Sequence, residues 1–260
     1  MSKNKKLKKI LWFSISIAFM IGIWWVLAVT YFYRAHFTIV PTPPQAFLAI
    51  FRLSITRTLW LNLWNTLWKV IVSFFASFIL GLIFAILAKL REEVRLFITP
   101  IVTVTRAVPT IGVILILGFV FRVPEFTAIF IGFIMAFPVL YEGFYTAISE
   151  VDIKLLQMAK VHKVSTFNQL KGIYAPSLMP FLFGGAVQAM GMTLKVVIAA
   201  EIVGITVANT LGTAMFNANQ TIHEIYMLFT WVIVAVLLSF ALEGIIKLIG
   251  KFAMPWKSEK

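Results

Sequence analysis

Lys195 and Glu201 stand six residues apart inside a run, 178–204, that carries no other charge. Ionised side chains at membrane depth are costly, and they mark either a solute pathway or a structural ion pair. On a helix, six positions turn through about 600°, so the two side chains point about 120° apart and differ by about 9 Å in height. Helical neighbours meet at spacings of three or four. Each of the two must therefore meet something else: another span, a second copy of the chain, or water in a pore. In one reading Lys195 faces a cavity and attracts an anionic group on a solute. In the other it bonds across helices to Glu201 or Glu142. Arg106 raises the same question within 97–121. Three residues on, Pro109 interrupts the helix, and backbone freed at membrane depth lines a cavity or is buried in protein. The plainer account of Arg106 is a side chain snorkelling near the inner end of a span.

Enzymatic chemistry has no such footing. His162 falls on the apolar face of a short helix, with no base, nucleophile or metal constellation around it. His36 and His223 lie in different loops without metal-ligand spacing, so no catalytic or metal-binding residue is assigned. The chain has no cysteine, which rules out disulfides, thiol catalysis and cysteine-ligated metal. It has no phosphate-cradling glycine loop, so it cannot hydrolyse ATP alone.

The elements that position these residues are membrane spans. Of the 260 residues, 61% are hydrophobic and 13% charged, whereas soluble domains are closer to half apolar. A helix needs about 20 apolar residues to cross the hydrocarbon core. Six runs qualify, at about 10–33, 63–88, 97–121, 126–147, 177–204 and 225–247, in one all-α membrane domain covering 1–260. The basic head MSKNKKLKK resembles a signal peptide, but the apolar run behind it is too long and lacks a cleavage site. It reads as an uncleaved first span. Trp12, Trp24, Trp25, Trp60, Trp64 and Trp68 read as interfacial or lipid-facing aromatics. Pro41, Pro43 and Pro44 precede an outer surface helix at about 44–58, whose apolar positions include Phe47, Ile50 and Phe51.

With the N-terminus inside, the inner segments hold sixteen lysines and arginines and the outer segments four. That positive-inside bias puts both termini and the segment 148–176 in the cytoplasm. It also accounts for the net charge of +13 through membrane-surface anchoring, without nucleic acid.

The segment 148–176 breaks the oil with Lys154, Lys160, Lys163, Lys171 and His162. Val151, Leu155, Met158 and His162 recur at helical spacing. Glu150 and Asp152 sit in the first turn and Lys160 and Lys163 near the end, as the helix dipole favours. Ser165 is placed to cap a second short helix bearing Phe167, Leu170, Ile173 and Tyr174, closed by Pro176. Pattern alone leaves two uses open: a hairpin lying on lipid, or a dock for a cytoplasmic partner.

Here the residues resemble the cytoplasmic "EAA" signature of permease subunits of ATP-binding-cassette importers: Glu-Ala-Ala, three residues, Gly, nine residues, Ile-x-Leu-Pro. Gln157, Met158 and Ala159 fall on the first triplet, Lys163 on the glycine, Ile173 on the isoleucine, and Ala175 and Pro176 on Leu-Pro. Ala159, Ile173 and Pro176 match; Gln157, Met158, Lys163 and Ala175 depart. Further stretches are similar to permeases of the nitrate, sulfonate and taurine importer group: VPTPPQAF, RAVPTIGVILILGFVF, and KVVIAAEIVG followed by LGTAMFNANQ. The similarity is collinear over about 24–250.

The resemblance implies a six-span permease of the type I importer architecture, with 148–176 as a coupling-helix hairpin. It implies a homodimeric pore in a bacterial cytoplasmic membrane, two ATPase subunits that bind ATP and Mg, and an extracytoplasmic substrate-binding protein. The chain itself would carry no cofactor. The cargo would be a small anionic or polar solute: nitrate-, sulfonate- or taurine-like, or a thiamine-pathway pyrimidine. Arg106, Pro109, Lys195 and Glu201 would be the pathway candidates. The rival class is a secondary transporter driven by an ion gradient, which would show inverted repeats and paired midplane charges. A membrane-embedded enzyme would need clustered acids or histidines on adjacent spans.

Overall fold

The computed structural model describes residues 3–30, 40–121, 123–203, 208–220 and 225–254. His36, His223 and the ends of two expected spans, 31–33 and 204, lie outside them. Every regular element described is a helix: α1 Lys3–Thr30, α2 Pro43–Ser54, α3 Arg57–Leu90, α4 Glu92–Ala107, α5 Thr110–Val120, α6 Pro124–Ser149, α7 Ile153–Val161, α8 Thr166–Gln169, α9 Ala175–Val203, α10 Leu211–Gln220 and α11 Ile225–Ala253. A π-helical turn, Leu170–Tyr174, joins α8 to α9. Five helical runs are long and apolar enough to span a bilayer, and a sixth is reached if α4 and α5 form one bent span.

The chain divides into two compact units. The first comprises 1–61 and 214–235. In it the indole N–H of Trp24 donates to the carbonyl of Pro41 at 3.0 Å, tying α1 to the start of α2. Pro43 occupies the first turn of α2, where a missing N–H costs nothing. The Thr42 N–H is taken by the Gln45 side chain at 2.9 Å. The helix ends at Ser54, and α3 begins at Arg57, so the expected 44–58 element is really two. Ala46 and Leu53 are its packed residues, while Phe47, Phe51 and Ile55 stay exposed, as suits a helix lying in a membrane interface.

The second unit comprises 62–213 and 236–260. Here α6 packs along α9, and α3 closes against both. Small residues allow this approach, as is usual where lipid supplies no hydrophobic drive. A Cβ on Gly132 would lie 2.8 Å from Ser73 Oγ and 2.9 Å from Val197 Cγ2, so nothing larger fits where the three helices meet. Ser73 and Ser77 donate across the interface to the carbonyls of Ile129 and Phe133 at 2.8 and 3.1 Å.

The third expected span is not straight. α4 and α5 meet at 104°. The cause is local: Pro109 forces Val108, the residue before it, out of helical geometry, and Val108 is extended with ψ 132°. The fifth span differs in the other direction. Pro176 was expected to close the preceding short helix, yet 166–203 is one helical run. The π turn explains this. The N–H of Ala175 donates to Leu170, five residues back, and the widened turn admits the Pro176 ring with no N–H to satisfy.

Candidate functional site

The hairpin at 150–175 is built from local chemistry. Asp152 caps α7 by accepting from the Lys154 N–H at 2.8 Å. Glu150 belongs to the end of α6 rather than to the first turn of α7. Ser165 caps α8, accepting from the Asn168 N–H at 3.4 Å, as its position predicts. Between the helices, the Val164 N–H donates to Ala159 at 2.9 Å and the Lys163 N–H to Lys160 at 3.1 Å. This pair of bonds is a Schellman cap, which needs a left-handed residue between them. That residue is Lys163, at φ 50°.

The position that falls on the signature's glycine is thus the position whose backbone calls for glycine. Lys163→Gly is expected to stabilise the turn by about 1 kcal/mol, raising the thermal midpoint by roughly 2–4 °C. A fall in the midpoint of the purified protein would contradict the left-handed cap.

The chain covers little of the apolar face that periodicity marks on the first arm of the hairpin. Val151 and Ala159 are buried, whereas Leu155, Met158 and His162 are exposed. Ala159 closes the hairpin against its own chain, so it is a packing residue and not an open contact. Ile153, Met158, Val161, Phe167 and Leu170 are apolar and exposed, with Val161 78% exposed. Gln157 is exposed beside them, and Ile173 and Pro176 are half-buried on the run leading into α9.

Glu201 and Lys195 do not meet. The Glu201 carboxylate bonds Lys69 of α3, Nζ to Oε1 at 2.9 Å, with both side chains no more than 1% exposed. Its other oxygen accepts from Thr66 Oγ1 at 2.8 Å and from the Gly212 N–H at 3.1 Å. Thr66 Oγ1 in turn accepts from the Leu211 N–H at 3.0 Å. The negative carboxylate thereby sits at the N-terminus of α10, where first-turn N–H groups are unpaired and the dipole favours an anion. A Cβ on Gly212 would run into Glu201 and lie 2.8 Å from the Ile198 carbonyl. The glutamate and glycine of the AAE…G stretch are therefore two halves of one contact.

Lys69, Thr66 and Gly212 were not singled out by the sequence. The available signal was a charge, Lys69, standing within a long apolar helix.

Glu142 is also taken. It forms an ion pair with Arg106, both side chains being about half exposed. The arginine is thus tied to α6 instead of snorkelling alone. Arg95, nearer the start of α4, lies 5.3 Å above the Tyr145 ring, so two cation contacts fasten α4 to α6. Pro109 begins α5 directly beyond this clasp. Lys195 is exposed and has no hydrogen-bond or ion-pair partner among the described residues. No group of three or more metal-ligating side chains occurs among them.

The arrangement is that of a helical protein with five or six candidate membrane spans. A chain of the MetNI methionine ABC transporter, solved in inward-facing conformations, shares the fold. One crystal form aligns with TM-score 0.61 and 20% identity over 75% of this chain and 96% of that one. A second gives 0.59 and 20% over 74% and 94%.

Residues 77–253 match the family of binding-protein-dependent transport system inner membrane components. The chain belongs to this family: it is a multi-pass membrane permease component of an ABC importer. It is also 23% identical, over 85% of its length and 79% of the relative's, to the Bacillus subtilis (strain 168) protein named as the aliphatic sulfonates transport permease SsuC.

Proposed function

We propose that two copies of this chain form the pathway of an ATP-driven importer in a bacterial cytoplasmic membrane. Two ATP-binding-cassette subunits dock on the hairpin, and an extracytoplasmic binding protein delivers the solute. ATP and Mg belong to the ATPase partners. Both termini are cytoplasmic, which the lysine and arginine distribution supports.

The observation that carries this reading is the hairpin itself. It exposes Met158, Val161, Phe167 and Leu170, and its second arm runs without a break from Thr166 through the π turn into α9. A push on the hairpin is therefore a push on a spanning helix, which moves as one body. A gradient-driven carrier has no need of such an element.

The cargo is a small anion, of which an aliphatic sulfonate is the candidate favoured by the named relative. Lys195 is the residue that attracts it. Both acids that could have neutralised Lys195 are engaged elsewhere, and an unpaired ammonium on a spanning helix is stabilised by water or a solute anion. Arg106 and Pro109 mark the bend that borders the pathway, and Glu201 anchors the helix that carries Lys195.

Lys195→Met keeps the length of the side chain and removes its charge. The importer should assemble and keep its basal ATPase activity, while uptake into vesicles falls at least tenfold, about 1.4 kcal/mol of lost attraction. Undiminished uptake of the native solute by the intact Lys195→Met complex would remove Lys195 from the pathway.

A further inference from the structure

A groove of about 520 Å³ opens between α9 and the last turns of α11, with Met254 just beyond it. Phe183 and Val187 form its apolar wall, Gly184 and Gly250 leave it open, and Lys247 and Lys251 stand over it. Gly250 is what lets the Phe183 ring lie on the α11 backbone, since a Cβ there would be 2.9 Å from Phe183 Cγ. The two lysines are one turn apart on one helix face, where like charges repel. Lys247 meets Glu243 at 3.2 Å but remains 63% exposed. Lys251 has no polar partner among the described residues, and no acid follows Glu243 in the described part of α11.

We propose that this groove holds an anionic phospholipid. Its phosphate diester sits between the Lys247 and Lys251 ammonium groups, and one acyl chain lies along Phe183 and Val187. Charge complementarity selects the headgroup, because among the described residues two cations and no acid line the opening, and Glu243 pairs only with Lys247. The apolar wall below selects a chain, which free phosphate lacks. Basic pockets between spanning helices at the cytoplasmic surface take such headgroups.

The site requires only that these helix ends lie at a bilayer surface; the inner leaflet follows from the orientation proposed above. Pro180 lines the same groove, six residues beyond the π turn. The lipid would therefore brace the part of α9 that continues from the hairpin.

Native mass spectrometry of the full-length permease, released from micelles with equal phosphatidylglycerol and phosphatidylcholine, tests the proposal. Phosphatidylglycerol should be retained in preference. K247Q/K251Q should lower its retention at least tenfold, to the phosphatidylcholine level, and K247R/K251R should keep it.

Equal retention of the two lipids by the unaltered protein would overturn the proposal without reliance on any variant. So would an undiminished preference in K247Q/K251Q, or displacement of the lipid by inorganic phosphate. Disulfide linkage of two copies through Lys251→Cys in membranes would assign the groove to a second copy instead. None of these readouts uses transport or an ATPase, so their failure is distinct from failure of the importer reading.

Discussion

Glu201→Gln should destabilise the permease by about 3–5 kcal/mol, with most of its monodisperse yield lost in detergent. The glutamine can still accept from Thr66 and the Gly212 N–H, so those bonds largely survive. What it cannot do is neutralise Lys69, whose side chain is fully buried. A lone ammonium in that position has no water, and the cost of leaving it unpaired exceeds the net worth of the original pair. Lys69→Met strands the carboxylate instead and should cost a similar amount.

The double variant Lys69→Met/Glu201→Gln should recover a large part of the loss, because no net charge is then buried. Thermal midpoints of the three purified variants check this. A Glu201→Gln protein that is stable but transports poorly would move Glu201 from anchor to pathway.

The spans were legible because a helix crossing a bilayer leaves an uncharged run in the chain. Features set by one or two neighbours were legible for the same local reason: Pro109 holds Val108 extended and breaks the span there, and Ser165 caps the helix that follows it. The Lys69–Glu201 pair was not, since its partners lie 132 positions apart and nothing in either stretch names the other. Ala159 shows a different limit. Periodicity tells which residues share a helix face but not which face the rest of the chain covers: Leu155 and Met158 lie on the marked apolar face and are open, while Ala159 is buried.

Pro176 misled because the π turn before it lets the helical run continue through the proline. The signature's glycine was visible as a departure at Lys163, but its reason, a left-handed cap, needed the backbone.

The account stands on the hairpin as the ATPase dock, and Met158→Asp probes it directly. Met158 is 55% exposed, so an aspartate there meets water in the isolated permease and leaves its fold intact. Against a partner it buries an unpaired charge, a loss large enough to lower affinity by tenfold or more. The permease should be coexpressed with its ATP-binding-cassette subunit, purified through a tag on the permease, and the two proteins quantified. Unaltered permease should carry the ATPase in equal numbers, and the Met158→Asp protein, equally abundant in the membrane, should lose at least nine-tenths of it. Full retention of the ATPase by Met158→Asp, with normal ATP-driven uptake, would contradict the docking face.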